Sequence, residues 1–317
     1  MALRKLGKSA LLVSPIGLGT WQFSGGPAGS KYFWKNLTQD IMNGIVKSSF
    51  DKGINWYDTA EIYGSGRSER ALSKALQTSN ITENVLIATK WNPILRRARS
   101  ITKTFPKRVS NLSPYTIDLH QIHNPYSFSS ISKQLSEMHQ LLKNDQIKAI
   151  GVSNFSISKM TKSYEILENM GSFLSSNQVK YSIFDRKIES KGLLDKAKEL
   201  GITIIAYSPL EQGLATGIYH KNDQLVKNIP FIRRRRIKKK FKKSKKAIDE
   251  LEQISILHDC TIAQIALSWI TNAHDETVIA IPGASSVSQA VSNAESMKIK
   301  LSKDELTSID ELTQDFF

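Results

Sequence analysis

Asp58, Tyr63, Lys90 and His123 have complementary chemistries, and each lies at or just after the C-terminal end of a run of β-forming apolar residues. Asp58 and Tyr63 follow the run 54–57, Lys90 follows 85–89, and His123 follows 117–121. A tyrosine hydroxyl, with an unperturbed pKa of about 10, is a poor acid at neutral pH, but an ammonium beside it favours the phenolate and lowers that value. Lys90 can supply the charge, Asp58 can hold Lys90 by a charge-assisted hydrogen bond, and His123 can donate to a carbonyl oxygen arriving beside the Tyr63 hydroxyl. The set would be a proton donor next to an oxyanion site. One at a time the four have plainer roles, as a helix cap, a loop aromatic, a solvated strand end and a hydrogen-bonded histidine. Joint placement at one rim is what argues for chemistry, and that placement depends on the fold.

Elements able to bring them together recur along the chain. Apolar runs at 16–20, 54–57, 85–89, 117–121, 147–152, 174–179, 202–207 and 278–281 read as strands. Helical periodicity covers 39–52, 67–76, 131–143, 158–168, 189–200 and 261–272 between them. Such alternation is the pattern of βα units, and eight strands suit a closed α/β structure, the (β/α)8 TIM barrel, better than an open sheet. Neighbouring strands lie ~4.8 Å apart, so side chains from three adjacent strand ends can meet in one small volume. Runs 3–6 and 10–13, around Gly7-Lys8, read as an N-terminal β-hairpin capping the barrel floor. Three long stretches without a strand, 22–37, 91–114 and 210–246, follow strands and so belong at the catalytic mouth. No linker or internal repeat marks a boundary, so 1–317 is expected to be one domain.

An apolar share of 40% and a charged share of 23% give the chain material for a sizeable core and exclude disordered and collagen-like classes. Cys260 is the only cysteine, can form no internal disulfide and fits no metal or redox spacing; a buried, inert thiol is expected, and no metal. With no signal-like start and no apolar run of membrane length, the expected location is cytoplasmic. The net charge of +15 is concentrated: 233–246 holds eleven basic residues and no acidic one, and without them the charge falls to +4. That run reads as a solvated helical face, as an electrostatic trap for a phosphorylated cofactor or substrate, or as a contact for nucleic acid or another polyanion.

The stretch Gly53-Ile54-Asn55-Trp56-Tyr57-Asp58-Thr59-Ala60-Glu61-Ile62-Tyr63-Gly64, continuing through Gly66-Arg67-Ser68-Glu69, resembles the signature of the aldo-keto reductase family. Ala88-Thr89-Lys90, Ile117 to His123, Ile150-Gly151-Val152-Ser153-Asn154-Phe155, Asn177-Gln178-Val179, Ala206-Tyr207-Ser208-Pro209-Leu210 and Ile281-Pro282-Gly283-Ala284 resemble its later motifs in order. The resemblance runs from about Leu3 to Leu312 and implies the barrel, the tetrad Asp58, Tyr63, Lys90 and His123, and a nicotinamide cofactor. It places Ser153, Asn154 and Gln178 on the carboxamide and Tyr207 against the nicotinamide ring. Ser208, Pro209, Leu210, Gln212 and Gly213 fall on the pyrophosphate loop, and Gly283, Ser285, Gln289 and Asn293 at the adenosine end, with Thr20 and Trp21 completing the set. Trp21, Phe23, Trp34 and Trp91 are candidates for an apolar or aromatic pocket wall, with barrel packing the equal alternative for any one of them. Members preferring NADP usually carry a cation near the start of the last motif, where this chain has Gly283-Ala284-Ser285-Ser286. The resemblance implies NADPH, with NAD as the alternative, reducing an aldehyde or ketone with a proton from Tyr63. A rival reading is a barrel that senses the cofactor or binds a partner with little turnover.

Overall fold

The computed structural model describes residues 2–25, 36–222 and 224–317. Ten strands form among them: β1 (Arg4–Lys5), β2 (Leu12–Val13), β3 (Leu18–Gly19), β4 (Trp56–Asp58), β5 (Leu86–Trp91), β6 (Leu119–Ile122), β7 (Ala149–Ser153), β8 (Leu174–Lys180), β9 (Thr203–Tyr207) and β10 (Val278–Ile281). From β3 to β10 the strands pair in sequence order, each with its neighbour in parallel. The ends of this sheet meet. Ile16 bridges Ala280 and Gly19 bridges Gly283, while the Gly17 and Gly19 N–H groups donate to Ala280 O and Pro282 O at 2.8 and 3.1 Å. The (β/α)8 barrel expected from the runs is therefore formed, with at least one helix after each of its strands, as parallel neighbours require.

Period-2 alternation sorts the strand residues into two cores. Trp56, Ala88, Leu119, Ala149, Ile205 and Ile279 cluster inside the barrel with Leu6, Leu11 and Val13 from the N-terminal hairpin. Their neighbours Tyr57, Ile87, Ile122, Ile150, Ile204 and Ala280 join the larger core between barrel and helices. β1 and β2 pair antiparallel, with Arg4 opposite Val13. The hairpin turn presses Gly7 so closely on the barrel that a Cβ there would lie 2.3 Å from Ser175 O, and its φ of +56° independently favours glycine. The Gly7 N–H donates to Thr203 Oγ1 at 2.7 Å, fastening the cap to the start of β9.

Most strands begin one or two residues later than their apolar runs, because Ile54, Ile117 and Ile147 are buried before the ladder starts. The stretch 91–114 is largely a helix, Ser100–Leu112; Pro106 in its interior hides its period from sequence reading. The run 189–200 is two helices, Lys187–Ser190 and Leu193–Leu200, broken at Gly192 with φ 69°. The stretch 210–246 contains helix Phe231–Phe241 after two single-turn helices, Ile218–Lys221 and Gln224–Lys227. Cys260 is half-buried, short of the full burial expected; partial burial, then Asp259, pushes its thiol up and keeps it protonated. Among the described residues no single helix is long and apolar enough to cross a membrane.

Candidate active site

One step above the apolar barrel layer, the inward positions become polar. Asp58, Lys90, Gln121 and Gln178 follow Trp56, Ala88, Leu119 and Ser176 by two residues on β4, β5, β6 and β8, and all four are buried. Parallel register sets Asp58 beside Ala88 and Lys90 beside Gln121. Lys90 Nζ donates to Asp58 Oδ1 at 2.5 Å and to Thr59 O at 2.8 Å. Asp58 Oδ2 accepts from Gln178 Nε2 at 2.9 Å and from Gln121 Nε2 at 3.2 Å. Burial by itself pushes the Lys90 ammonium down, but Asp58 and Tyr63 outweigh it, and the net direction is up. The lysine is therefore held as a cation in an otherwise closed interior. Gln121 escaped the sequence reading, although its place between Leu119 and His123 in the inward alternation of β6 was the signal for it.

Tyr63 stands in the turn after β4, with Lys90 Nζ 5.1 Å from its ring centroid and the His123 ring 5.7 Å away, edge-on at 78°. Burial pushes the Tyr63 phenol above its ordinary value; Lys90 pulls it down and Asp58 up. The lysine acts in the expected direction but does not prevail, because desolvation is larger, so Tyr63 carries its proton at neutral pH. Burial, then Lys90, drives His123 down to about 3, so its imidazole is neutral. A neutral ring keeps one N–H to donate.

Two sets of contacts hold the tyrosine's turn. Ser65, Gly64 and Gly66 have φ of 56°, 63° and 84°, and a Cβ on Gly64 would lie 2.3 Å from Ser24 O. Arg67 clasps the turn to Ser24 O and Gly25 O at 2.7 and 2.8 Å. On the other side, Glu61 accepts the Asn92 N–H at 2.6 Å, pairs with Arg96, and meets the fully buried Arg108 at 3.0 Å. Glu61, Arg96 and Arg108 were missed in the sequence, where nothing local marks their pairing across 35 and 47 positions.

A cavity of about 670 Å³ opens above this layer, within the range of small-molecule sites. Asp58, Tyr63 and His123 line it, while Lys90 lies behind them. Of the residues assigned to a cofactor, Thr20, Trp21, Ser153, Asn154, Gln178, Tyr207, Ser208, Pro209, Leu210, Gln212, Gly213, Gly283, Gln289 and Asn293 line the same cavity; Ser285 does not. The Ser285 N–H instead donates to Gln289 Oε1 at 2.8 Å, at the start of helix Val287–Glu295. Tyr207 OH donates to Asn154 Oδ1 at 3.1 Å, and Asn154 Nδ2 to Ser153 Oγ at 3.0 Å. Gln212 Oε1 and His123 Nδ1 are buried atoms with no hydrogen-bond partner among the described residues. Ser208, Glu211, Gln212 and Gly213 all have positive φ, a strained curve beside the cavity of the kind that persists at ligand sites. The unpartnered polar atoms fit a ligand with polar groups. Among the described residues no group of three or more His, Cys, Asp or Glu side chains could hold a metal ion.

The aromatic wall is only partly as expected. Trp21 lines the cavity, but Phe23 and Trp91 belong to the core outside the barrel, and Trp34 lies outside the described residues. Trp91 points away because it alternates with the inward Lys90, and its Nε1 donates to Ser100 Oγ at 3.0 Å. Ile62, Ile94, Asn92, Arg233 and Arg236 also border the cavity. The two arginines belong to the run 233–246, for which an electrostatic trap for a phosphorylated cofactor or substrate is one of the three readings.

The aldo/keto reductase family model matches residues 15–314. The chain is 30% identical over 338 residues to the NADH-specific methylglyoxal reductase of Escherichia coli, covering 98% of this chain and 97% of that protein. A crystal structure of a thermostable aldo-keto reductase in complex with the inhibitor epalrestat superposes with a TM-score of 0.80 at 28% identity, covering 98% of this chain and 100% of that one. An aldo/keto reductase from Klebsiella pneumoniae in complex with NADP and acetate gives 0.75 at 22% identity, over 99% and 96% of the two chains, which shows the shared fold. With the barrel, the polar layer and the family match all in agreement, this chain belongs to the aldo/keto reductase family.

Proposed function

We propose that this protein reduces an aldehyde or ketone to an alcohol, with hydride from NADPH, NADH being accepted as well, and with the proton from Tyr63. The observation that carries this reading is that Tyr63 and neutral His123 face one cavity directly above a buried Lys90–Asp58 pair. A bound nicotinamide would supply hydride to the carbonyl carbon. Tyr63 gives its proton to the carbonyl oxygen, and the Lys90 ammonium stabilises the phenolate left behind. His123 donates a hydrogen bond to the same oxygen. Asp58 fixes Lys90, and Gln121 and Gln178 in turn fix Asp58.

Ser153, Asn154 and Gln178 would hold the carboxamide, with both hydrogens of the Gln178 amide engaged by Asp58 and Gln121 and its oxygen left to accept. Tyr207 would lie against the ring, 208–213 would follow the pyrophosphate, and Gly283, Gln289 and Asn293 would take the adenosine end. Hydroxyls and a helix N-terminus at Ser285–Ser286 offer a 2′-phosphate hydrogen bonds without a full charge, so discrimination between the two cofactors should be modest. The direct test uses NADPH and NADH deuterated at nicotinamide C4 with a panel of aldehydes and ketones. Deuterium at the alcohol carbon is expected. Tight cofactor binding with no transfer to any member would overturn the reading in favour of a sensing role.

A further inference from the structure

Helix Phe231–Phe241 has two faces of different purpose. Inward, Ile237 is buried, Arg233 Nη2 donates to Gln212 O and Tyr219 OH at 2.7 Å each, and Lys240 reaches Phe184 O, Asp185 and Glu211 at 2.5, 3.2 and 3.1 Å. Arg236 borders the cavity. Ile237, Arg233 and Lys240 anchor the helix beside the site, so the run is more than a solvated face. Outward, Arg235, Lys238, Lys239, Lys242, Lys243 and Lys246 are exposed, and none makes an ion pair among the described residues. Positions i and i+4 stand ~6 Å apart along a helix. Arg235 and Lys239 thus form one row, Lys238 stands beside it, and Lys242 and Lys243 continue past the last helical turn. Like charges at this spacing destabilise a helix, and no acidic residue relieves them before Asp249.

We infer that this outer face is a docking surface for the phosphate backbone of duplex nucleic acid, read without regard to base sequence. The cations spread over about half the circumference of the helix, by its ~100° turn per residue. A major groove about 12 Å wide offers phosphates on both flanks of such a half-cylinder. A lipid surface fits less well, because a membrane-lying helix needs an apolar face and here Ile237 and Phe241 are spent on the protein's own core. At the end of the patch Phe231 is 71% exposed, an aromatic placed beside the cations.

The test is fluorescence anisotropy of a labelled 25-base-pair DNA duplex of mixed sequence, titrated with full-length protein holding NADPH at several salt concentrations. Binding with a Kd of roughly 1–100 µM at physiological salt is expected, with log K falling against log salt at a slope of about −4 to −5. Lys238→Glu, Lys239→Glu, Lys242→Glu and Lys243→Glu combined should weaken binding by at least about tenfold and flatten the slope, with turnover unchanged as evidence of an intact fold. A control exchanges four exposed lysines on other helices, at Lys74, Lys103, Lys133 and Lys162, for glutamate and should retain most of the binding. Equal loss in the control would reduce the effect to net charge and overturn the assignment. So would no duplex binding at low salt, or capture by phosphatidylserine vesicles in its place.

Discussion

The barrel interior contains two layers of side chains one strand period apart, and they differ in almost every property. Below, Trp56, Ala88, Leu119, Ala149, Ile205 and Ile279 close the interior with the hairpin's Leu6, Leu11 and Val13. Above, Asp58, Lys90, Gln121 and Gln178 are as deeply buried but bound to one another through carboxylate, ammonium and amides. The lower layer is nonspecific in its forces and should matter only for stability. The upper holds the Lys90 ammonium behind the cavity wall and away from water, which is costly unless every partner is present. The difference teaches that one set of strands can separate folding from chemistry by a shift of two residues along each.

Substitution can break that division. Lys90→Met leaves Asp58 buried without its cation, and about 3–5 kcal/mol of stability should be lost, together with roughly 10²–10⁴-fold in turnover. Adding Asp58→Asn should restore most of the stability in denaturant melts but none of the turnover. If turnover returned as well, the upper layer would be merely structural. Trp56→Ala in the lower layer should cost about 3–5 kcal/mol, with kcat of the folded protein at low temperature within about twofold of the parent. A kcat loss as large as that of Lys90→Met would erase the contrast between the layers.

Smaller effects sharpen it. Glu61→Gln keeps an acceptor for the Asn92 N–H but removes the charge opposite Arg96 and the buried Arg108. A loss of about 1–3 kcal/mol is expected, with a turnover decrease that leaves cofactor affinity unchanged. The last case concerns pH. The imidazoles of His123, held down to about 3, and of His120, held well below its ordinary 6.5, are both depressed first by burial. Between those values and 6.5 the unfolded chain binds protons that the folded chain refuses, so stability falls as pH drops through this window. His123→Gln should lessen the slope between pH 6.5 and 3 without abolishing it, since His120 remains. An unchanged slope would mean that His123 is not held neutral.

Much of this was legible in the sequence. The eight runs are the eight barrel strands, and Asp58, Tyr63 and His123 do face one cavity, because strand alternation and parallel register are local rules. Burial lay beyond local rules: that Tyr63 is pushed up despite Lys90 follows from the total desolvation of its surroundings. Trp91 was a candidate pocket aromatic, yet it adjoins the inward Lys90, and adjacency on a strand means opposite faces. Glu61, Arg96 and Arg108 needed the fold to bring the turn after β4 against the loop and helix that follow β5, and the inward turn of Arg233 and Lys240 depended on which helix face packs on the segments after β8 and β9.

The most direct measurement compares the parent with Tyr63→Phe in single-turnover reduction of an accepted aldehyde by NADPH, with cofactor affinity measured alongside by protein fluorescence. Loss of at least roughly 100-fold in the reduction rate is expected, with the cofactor Kd changed by less than about threefold. Reduction at the parental rate, or a loss explained wholly by weakened cofactor binding, would contradict Tyr63 as the proton donor.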